Sequence, residues 1–510
     1  MKKSLQFFIV FFSGFAVAQA PAIQWQKTLG GTSTEVAESI QQTIDGGYIV
    51  TGYTGSNNGD VSGNHSTQDA WVVKLDNTGS LSWQKALGGT AVEDSTSIQQ
   101  TIDGGYILAG FTFSNDGDVS GNHGTQDAWI VKLDNLGAIS WQKTLGGTAY
   151  DRASSVQQTT DGGYIVAGYT SSNDGDVSGN HGGGDVWVVK LTNLGAISWQ
   201  KTLGGTSGDA ARCIKQTDDG GYIVAGYSGS NNGDVSGNHG YNDFWILKLD
   251  SVGTVSWQKA LGGTNPDEAK SIEQTRDGGY IVAGYTNSVN GDVLGNHGLR
   301  DVWIVKLDIL GGISWQKALG GTGSEEAFSI KGTTNDGFIV SGDTLSNDGD
   351  VSGNHGGGDA WVVKLDTDGA VSWQKTLGGT SSENGYGIQQ TIDGGYVVAG
   401  GAGSNNGDVL GNHGSADFWV VKLGADLGTE SFSTKTAFKV YPNPATSVIN
   451  IQGTNNPVID SVVIANVLGK KVFEKYKNIT AINVENLHSG VYFIQITSEE
   501  KTACVKFVKE

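Results

Sequence analysis

Read from Ile23, the chain alternates short runs rich in Val, Ile, Tyr, Trp and Thr with breaks rich in Gly, Asp and Asn. In the first full unit the runs fall at residues 39–43 (SIQQT), 47–54 (GYIVTGYT), 70–76 (AWVVKLD) and 81–87 (LSWQKAL). Each has the length and composition of a β-strand. Asp45-Gly46-Gly47 and Asp76-Asn77-Thr78-Gly79 are short hairpin connections, because glycine takes the positive φ such turns demand. No stretch carries a 3.6-residue apolar period, so the predicted elements are strands throughout.

The pattern is one unit written seven times. Trp-Gln-Lys recurs at Trp25, Trp83, Trp141, Trp199, Trp257, Trp315 and Trp373, always 58 residues apart. A second series keeps the same clock at Trp71, Trp129, Trp187, Trp245, Trp303, Trp361 and Trp419, and the two series account for all 14 tryptophans. A fixed period of this kind marks a repeat architecture. Four strands per unit and seven units predict an all-β chain with a seven-bladed β-propeller over residues 19–424. Residues 23–29 (IQWQKTL) are a fourth-strand sequence without predecessors, and the last unit stops after residues 418–423 (FWVVKL). The N-terminal strand is therefore expected to complete the last blade and close the ring, where a linear solenoid would instead want polar caps.

Composition sharpens this picture at both ends. Lys2 and Lys3 precede an apolar run closing in Ala16-Val17-Ala18, which predicts a signal peptide over 1–18 cleaved after Ala18. That run is too short to span a bilayer, and no later segment is long enough, so no transmembrane segment is expected. Residues 425–437 read as a linker, and residues 438–510 as a separate small domain. The chain's net charge of −20 argues against a nucleic-acid partner, and the acidity belongs to the large domain alone. Eighty glycines with only 5 prolines exclude collagen, so glycine must be serving turns. Cys213 and Cys504 stand alone in dissimilar contexts and form no framework.

Two resemblances follow. The hairpin Lys74-Leu75-Asp76-Asn77-Thr78-Gly79-Ser80-Leu81-Ser82-Trp83 resembles the tryptophan-docking repeat of quinoprotein-type propellers. The tail resembles the C-terminal sorting domain of the type IX (Por) secretion system of Bacteroidetes. It does so through Val440-Tyr441-Pro442-Asn443-Pro444-Ala445, Ile449-Asn450-Ile451, Gly469-Lys470-Lys471-Val472, Ser489-Gly490-Val491-Tyr492-Phe493 and Val505-Lys506-Phe507-Val508-Lys509. The resemblance implies a small Ig-like β-sandwich whose signal residues are Tyr441, Pro442, Asn443, Pro444, Gly490, Tyr492 and Lys506. It further implies Sec export, recognition by the type IX translocon, processing by a sortase-like protease, and a secreted or outer-membrane-attached product.

Candidate chemistry sits in the two long loops, which should share one face of the ring. The loop before each first strand carries an acid (Glu35, Glu93, Asp151, Asp209, Asp267, Glu325, Glu383). The loop between second and third strands carries Asp60, Asp118, Asp176, Asp234, Asp292, Asp350 and Asp408. A third acid opens the third strand (Asp69 and its equivalents), so this face is expected to hold a concentrated negative potential. With Asp174, Asp176, Ser178 and Asn180 at alternate positions, the loop could present oxygens to a weakly held Ca²⁺, the one cofactor under consideration. Plain turn chemistry explains the same residues. The seven histidines from His65 to His413 are expected to serve loop hydrogen bonding, since each loop offers one and zinc wants three or four.

Near-identity of the units argues against a catalytic centre, which needs different residues in different roles. The deviant residues Arg152, Arg212 with Cys213, Arg300 and Asn335-Asp336 look scattered. The reading is a monomeric, multivalent binding or adhesion module for a glycan or surface-protein ligand. The rival reading is a quinoprotein-like or polysaccharide-degrading propeller enzyme.

Overall fold

The computed structural model describes residues 19–426, 438–453, 458–466, 471–477, 479–498 and 501–510. The predicted signal peptide with Ala18, residues 427–437 of the predicted linker, and Gly469-Lys470 lie outside them. The described residues form no helix. Contacts divide the chain into two compact units, Met1–Leu427 and Gly428–Glu510.

The first unit is a propeller-like array of seven four-stranded antiparallel sheets. In the first blade the strands, lettered a to d, are Glu35–Gln42, Tyr48–Thr54, Asp69–Leu75 and Leu81–Leu87, paired in sequence order. The seventh blade joins Gly387–Gln390, Tyr396–Ala402 and Asp417–Leu423 to Ile23–Leu29, so the N-terminal strand supplies its strand d as expected. Successive a strands lie against one another round the array, and that of the seventh blade returns to that of the first. Across this junction Glu35 N–H donates to Ala416 O at 2.7 Å.

Cores form between blades. Trp71, fully buried, shares a cluster with Tyr48 and Val73 of its own blade and with Val397, Ala399 and Phe418 of the seventh. Its indole N–H is satisfied by Gln84 Oε1 at 2.8 Å, which is what lets so large a polar-tipped ring be buried. The other tryptophan series docks outward. The ring of Trp25 lies where a Cβ on Gly79 would come within 2.8 Å, so the tight turn of one blade seats the tryptophan of its neighbour.

Strands b, c and d stand within a residue of expectation, but strand a begins at Glu35, four residues early. The reason is a β-bulge. Register shifts between Ala37 and Ser39, leaving Glu38 as an extra residue, and six of the seven a strands repeat this shift. An extra residue breaks the two-residue alternation by which a strand is recognised. It also fixes a glycine opposite: a Cβ on Gly52 would meet Val36 O at 1.9 Å.

The second unit packs a three-stranded sheet (Phe438–Tyr441, Val448–Gly453, Ala481–Asn483) and a four-stranded sheet (Lys471–Tyr476, Ser461–Asn466, Gly490–Ser498, Lys501–Lys509) round one core. That core contains Phe438, Ile449, Val462, Ile494 and Phe507.

Candidate functional site

The loop acids are mostly structural. Glu35 is fully buried and caps its own loop: Gly31 N–H donates to Oε2 at 2.9 Å, and Thr54 Oγ1 and Ser56 N–H donate to Oε1 at 2.9 and 3.0 Å. Asp69 and its equivalents are fully buried as well, each accepting from the Nδ1 of the histidine four residues earlier, as Asp69 does from His65 at 2.7 Å. Two of the three acid series thus contribute no surface charge, which corrects the expected negative face. Carboxylates in folded interiors are tolerable only when paired or hydrogen-bonded, and each of these is held through at least one oxygen, although Oδ1 of Asp127, Asp185, Asp243, Asp301, Asp359 and Asp417 has no partner among the described residues.

The loop residues proposed for calcium are spent on stitching two loops together. Asp60, Asp118, Asp176, Asp234, Asp292, Asp350 and Asp408 each accept through Oδ2 from a glycine N–H of the preceding loop, Asp60 from Gly30 at 3.2 Å. Asp174 accepts from Thr148 N–H at 2.8 Å and Thr148 Oγ1 at 2.9 Å, bonds that hold its carboxyl below the usual range. Asn180 donates to Thr170 O and accepts from Gly182 N–H. These oxygens point to separate partners, and no group of three or more His, Cys, Asp or Glu converges on a cation position among the described residues.

What the structure does bring together is the set of residues by which the units differ. Strand a is the inner strand, and its second and fourth residues face the ring axis at the mouth shared by the long loops. There stand Glu38, Asp94, Arg152, Arg212, Glu268 with Lys270, Glu326 with Phe328, and Asn384 with Tyr386, contributed by all seven blades in turn. Asp343 from strand b and Arg300 from a loop join them. The bulge carries the fourth residue, and bulges re-aim side chains.

The ring is bonded unevenly. Lys270 bridges Glu268 and Glu326 at 3.2 and 3.0 Å, while Arg300 pairs with Glu326 at 2.7 Å and lies 3.9 Å over the Tyr285 ring. Asn384 donates to Asp343 at 3.0 Å, and Phe328 packs on Tyr386 with centroids 4.5 Å apart. On the opposite arc, Asp94 Oδ1, Arg152 Nε and Arg212 Nε are buried without a hydrogen-bond partner. Such groups cost free energy unless something pairs with them.

Burial, reinforced by the charge of Asp94, pushes Glu38 up to about 8. Burial raises Asp94 to about 6 against the pull of Arg152, and burial with the charge of Glu326 raises Asp343 to about 7. Glu268 goes the other way: burial opposes ionisation, but Lys270 and Arg212 outweigh it. Burial thus shifts Glu38 and Asp343 toward their neutral forms beside the basic residues Arg152, Arg212, Lys270 and Arg300.

The sign of the pH dependence follows. Glu38 ionises near 4.5 when unfolded and near 8 when folded, so its contribution is fully present in acid and is lost as pH rises through that window. Glu38→Gln is expected to leave the melting temperature unchanged at pH 4 and to raise it at pH 8.5, measured by thermal scans across the range. Equal shifts at both ends would overturn the assignment.

The arginines thought scattered, Arg152, Arg212 and Arg300, thus assemble, while Cys213 is buried between blades. Comparing the units for variation rather than constancy was the signal that could have found the ring. In the tail, Asn443 accepts from Val508 N–H at 2.9 Å and donates to Lys506 O at 3.1 Å, pinning the Pro442-Asn443-Pro444 corner to the last strand. Tyr441 and Lys506 are exposed, and Tyr492 is buried against Phe507. Gly490 opens the strand that contains Tyr492.

Residues 439–510 match the family model of the secretion system C-terminal sorting domain. The tail is accordingly a sorting domain of the type IX kind, which implies engagement of that secretion machinery and export to the cell surface or outer membrane. A stretch of 191 residues is 27% identical to the regulatory protein FlaEY of Caulobacter vibrioides, covering 34% of this chain and 20% of that protein. PorZ, a surface component of the type IX system of Porphyromonas gingivalis, aligns over 96% of this chain and 61% of its own at 12% identity and a TM-score of 0.40. Sqt1 from Chaetomium thermophilum aligns over 95% and 100% at 11% identity and a TM-score of 0.40. The chain therefore spans one fifth of the curated relative and less than two thirds of the PorZ chain.

Proposed function

We propose that the chain is a surface-displayed or released binding and adhesion protein, a closed seven-bladed β-propeller addressed by an Ig-like sorting sandwich. On this reading the partner, a glycan or surface protein, engages the axial mouth and not seven equivalent loops. The observation that carries the reading is the gathering there of the residues that differ between otherwise near-identical units. Arginine and tyrosine gathered beside buried carboxylates are what a binding centre needs and a purely structural channel does not.

The test is a screen of the mature chain against glycans and surface polymers, with and without Ca²⁺, alongside Arg152→Gln and Arg212→Gln. Arg152 forms no ion pair among the described residues, and the contact of Arg212 with Glu268 is 3.9 Å, so both variants should fold normally. Each is expected to weaken binding by about tenfold or more. Silence of the wild type in both conditions sinks the glycan version, and a requirement for Ca²⁺ would favour the cation reading of the loops. The polysaccharide-degrading alternative draws on the protonated Glu38 beside Asp94, and turnover of a polymer lost in Glu38→Gln would favour it.

A further inference from the structure

The opposite mouth of the ring is closed by a clasp that is broken once. The last residue of strand a is glutamine in six blades, and its Oε1 accepts the N–H at the a–b turn of the preceding blade. The donors are Ile44, Ile102, Thr160, Asp218, Thr334 and Ile392, at 2.8–2.9 Å. In the sixth blade this residue is Gly332, so the N–H of Arg276 loses its side-chain acceptor. A cleft of about 690 Å³ opens at this point, within the size range of small-ligand sites.

The sixth unit departs from the others all round that cleft. Its a–b turn places Asp336 at φ 63, where the other six units put glycine, and the side chain pairs with Arg276. An aspartate held in the left-handed region costs stability relative to glycine, and local strain of this kind collects at functional sites. Beside it, Lys331 stands where four other units have a glutamine whose oxygen accepts the next blade's N–H, so the N–H of Gln390 lacks that acceptor, as does that of Gln274 beyond Lys215. Lys331 forms no ion pair among the described residues. Lys215, two blades round the same wall, forms none either; burial, with Lys331 nearby, lowers its pKa, while Cys213 and Glu273 act the other way. The other charges of the cleft are committed: Lys306 to Asp277 at 2.8 Å, and Glu273 to Gly332 N–H at 2.6 Å.

We propose that this cleft binds an acidic sugar, its carboxylate on Lys331 and the free N–H of Arg276 and its hydroxyls on the surrounding threonines and glutamines. Uncommitted positive charge selects an anion. A lining of hydroxyl and amide groups, with Ile281 and Phe338 buried beneath it, selects a polyol over an aromatic or lipid. The site is separate from the axial mouth of the proposed function, and neither reading depends on the other.

The experiment titrates the mature full chain with D-galacturonate and with D-galactose, the same ring without the acid, by calorimetry. Galacturonate is expected to bind, and galactose at least about tenfold more weakly. Lys331→Met should weaken galacturonate binding by about tenfold or more. Gly332→Gln should abolish it and raise the melting temperature by restoring the clasp. Absence of saturable galacturonate binding up to about 10 mM, equal binding of galactose, or full binding by Gly332→Gln overturns the proposal. If Gly332→Gln folds poorly, Lys331→Met decides alone.

Discussion

A chain truncated after residue 437 is expected to vanish from the cell surface and the medium of a host carrying the type IX system. It should accumulate, folded, in the periplasm. The two compact units have separate cores, one built on Phe438, Ile449 and Phe507, the other on interblade clusters such as that of Trp71, so losing one leaves the other's packing intact. The effect should be nearly all-or-none, because the address resides in the tail and the propeller carries no copy of it. Fractionation with surface proteolysis is the measurement. Normal surface levels of the truncated chain would refute the assignment of residues 439–510 as the sorting domain. Asn443→Ala is a graded companion: it removes two hydrogen bonds to the last strand, about 1 kcal/mol each, and should reduce export without abolishing it.

Period and punctuation made the architecture readable. Trp71 and its equivalents are constant because a fully buried indole with one satisfied N–H admits no substitute of the same shape, so the series marks every blade. Strand a was only half legible, since the extra residue at Glu38 puts two successive positions out of phase with the alternation that identifies a strand. The axial ring was hidden for a different reason. Val36, Asp94, Arg152, Ala210, Glu268, Glu326 and Asn384 occupy one column of the repeat, and nothing local says that this column faces an axis.

Burial was equally invisible to a count of charges. Glu35 and Asp69 look like surface acids in a Gly-rich loop, yet both are fully buried because neighbouring N–H, hydroxyl and imidazole groups turn toward them. The glutamine clasp is not legible locally because a polar residue ending a strand reads as solvent-facing. Its meaning emerged only from the blade that lacks it. In repeats this regular, the constants carry the fold.

Gly284→Ala is expected to be among the most damaging single substitutions outside the cores. Gly284 lies in strand b of the fifth blade, opposite the bulge that presents Lys270, and a Cβ there would meet Glu268 O at 2.0 Å and Ala269 Cα at 2.9 Å. Both obstacles are backbone, so no side-chain rotation relieves them. Either strand a moves away from strand b or the bulge is lost. The cost should be of order 3 kcal/mol or more, at the upper end of overpacking effects. Gly208→Ala is the control: that exposed glycine has nothing within 4 Å of a new Cβ, and its change should stay within about 0.5 kcal/mol. Chemical denaturation of both variants measures the difference. Because the same bulge sets Lys270 between Glu268 and Glu326, any Gly284→Ala that folds should also lose the affinity proposed for the axial mouth. A variant with wild-type stability would show that the bulge yields easily, and the rigid presentation of the ring would fall with it.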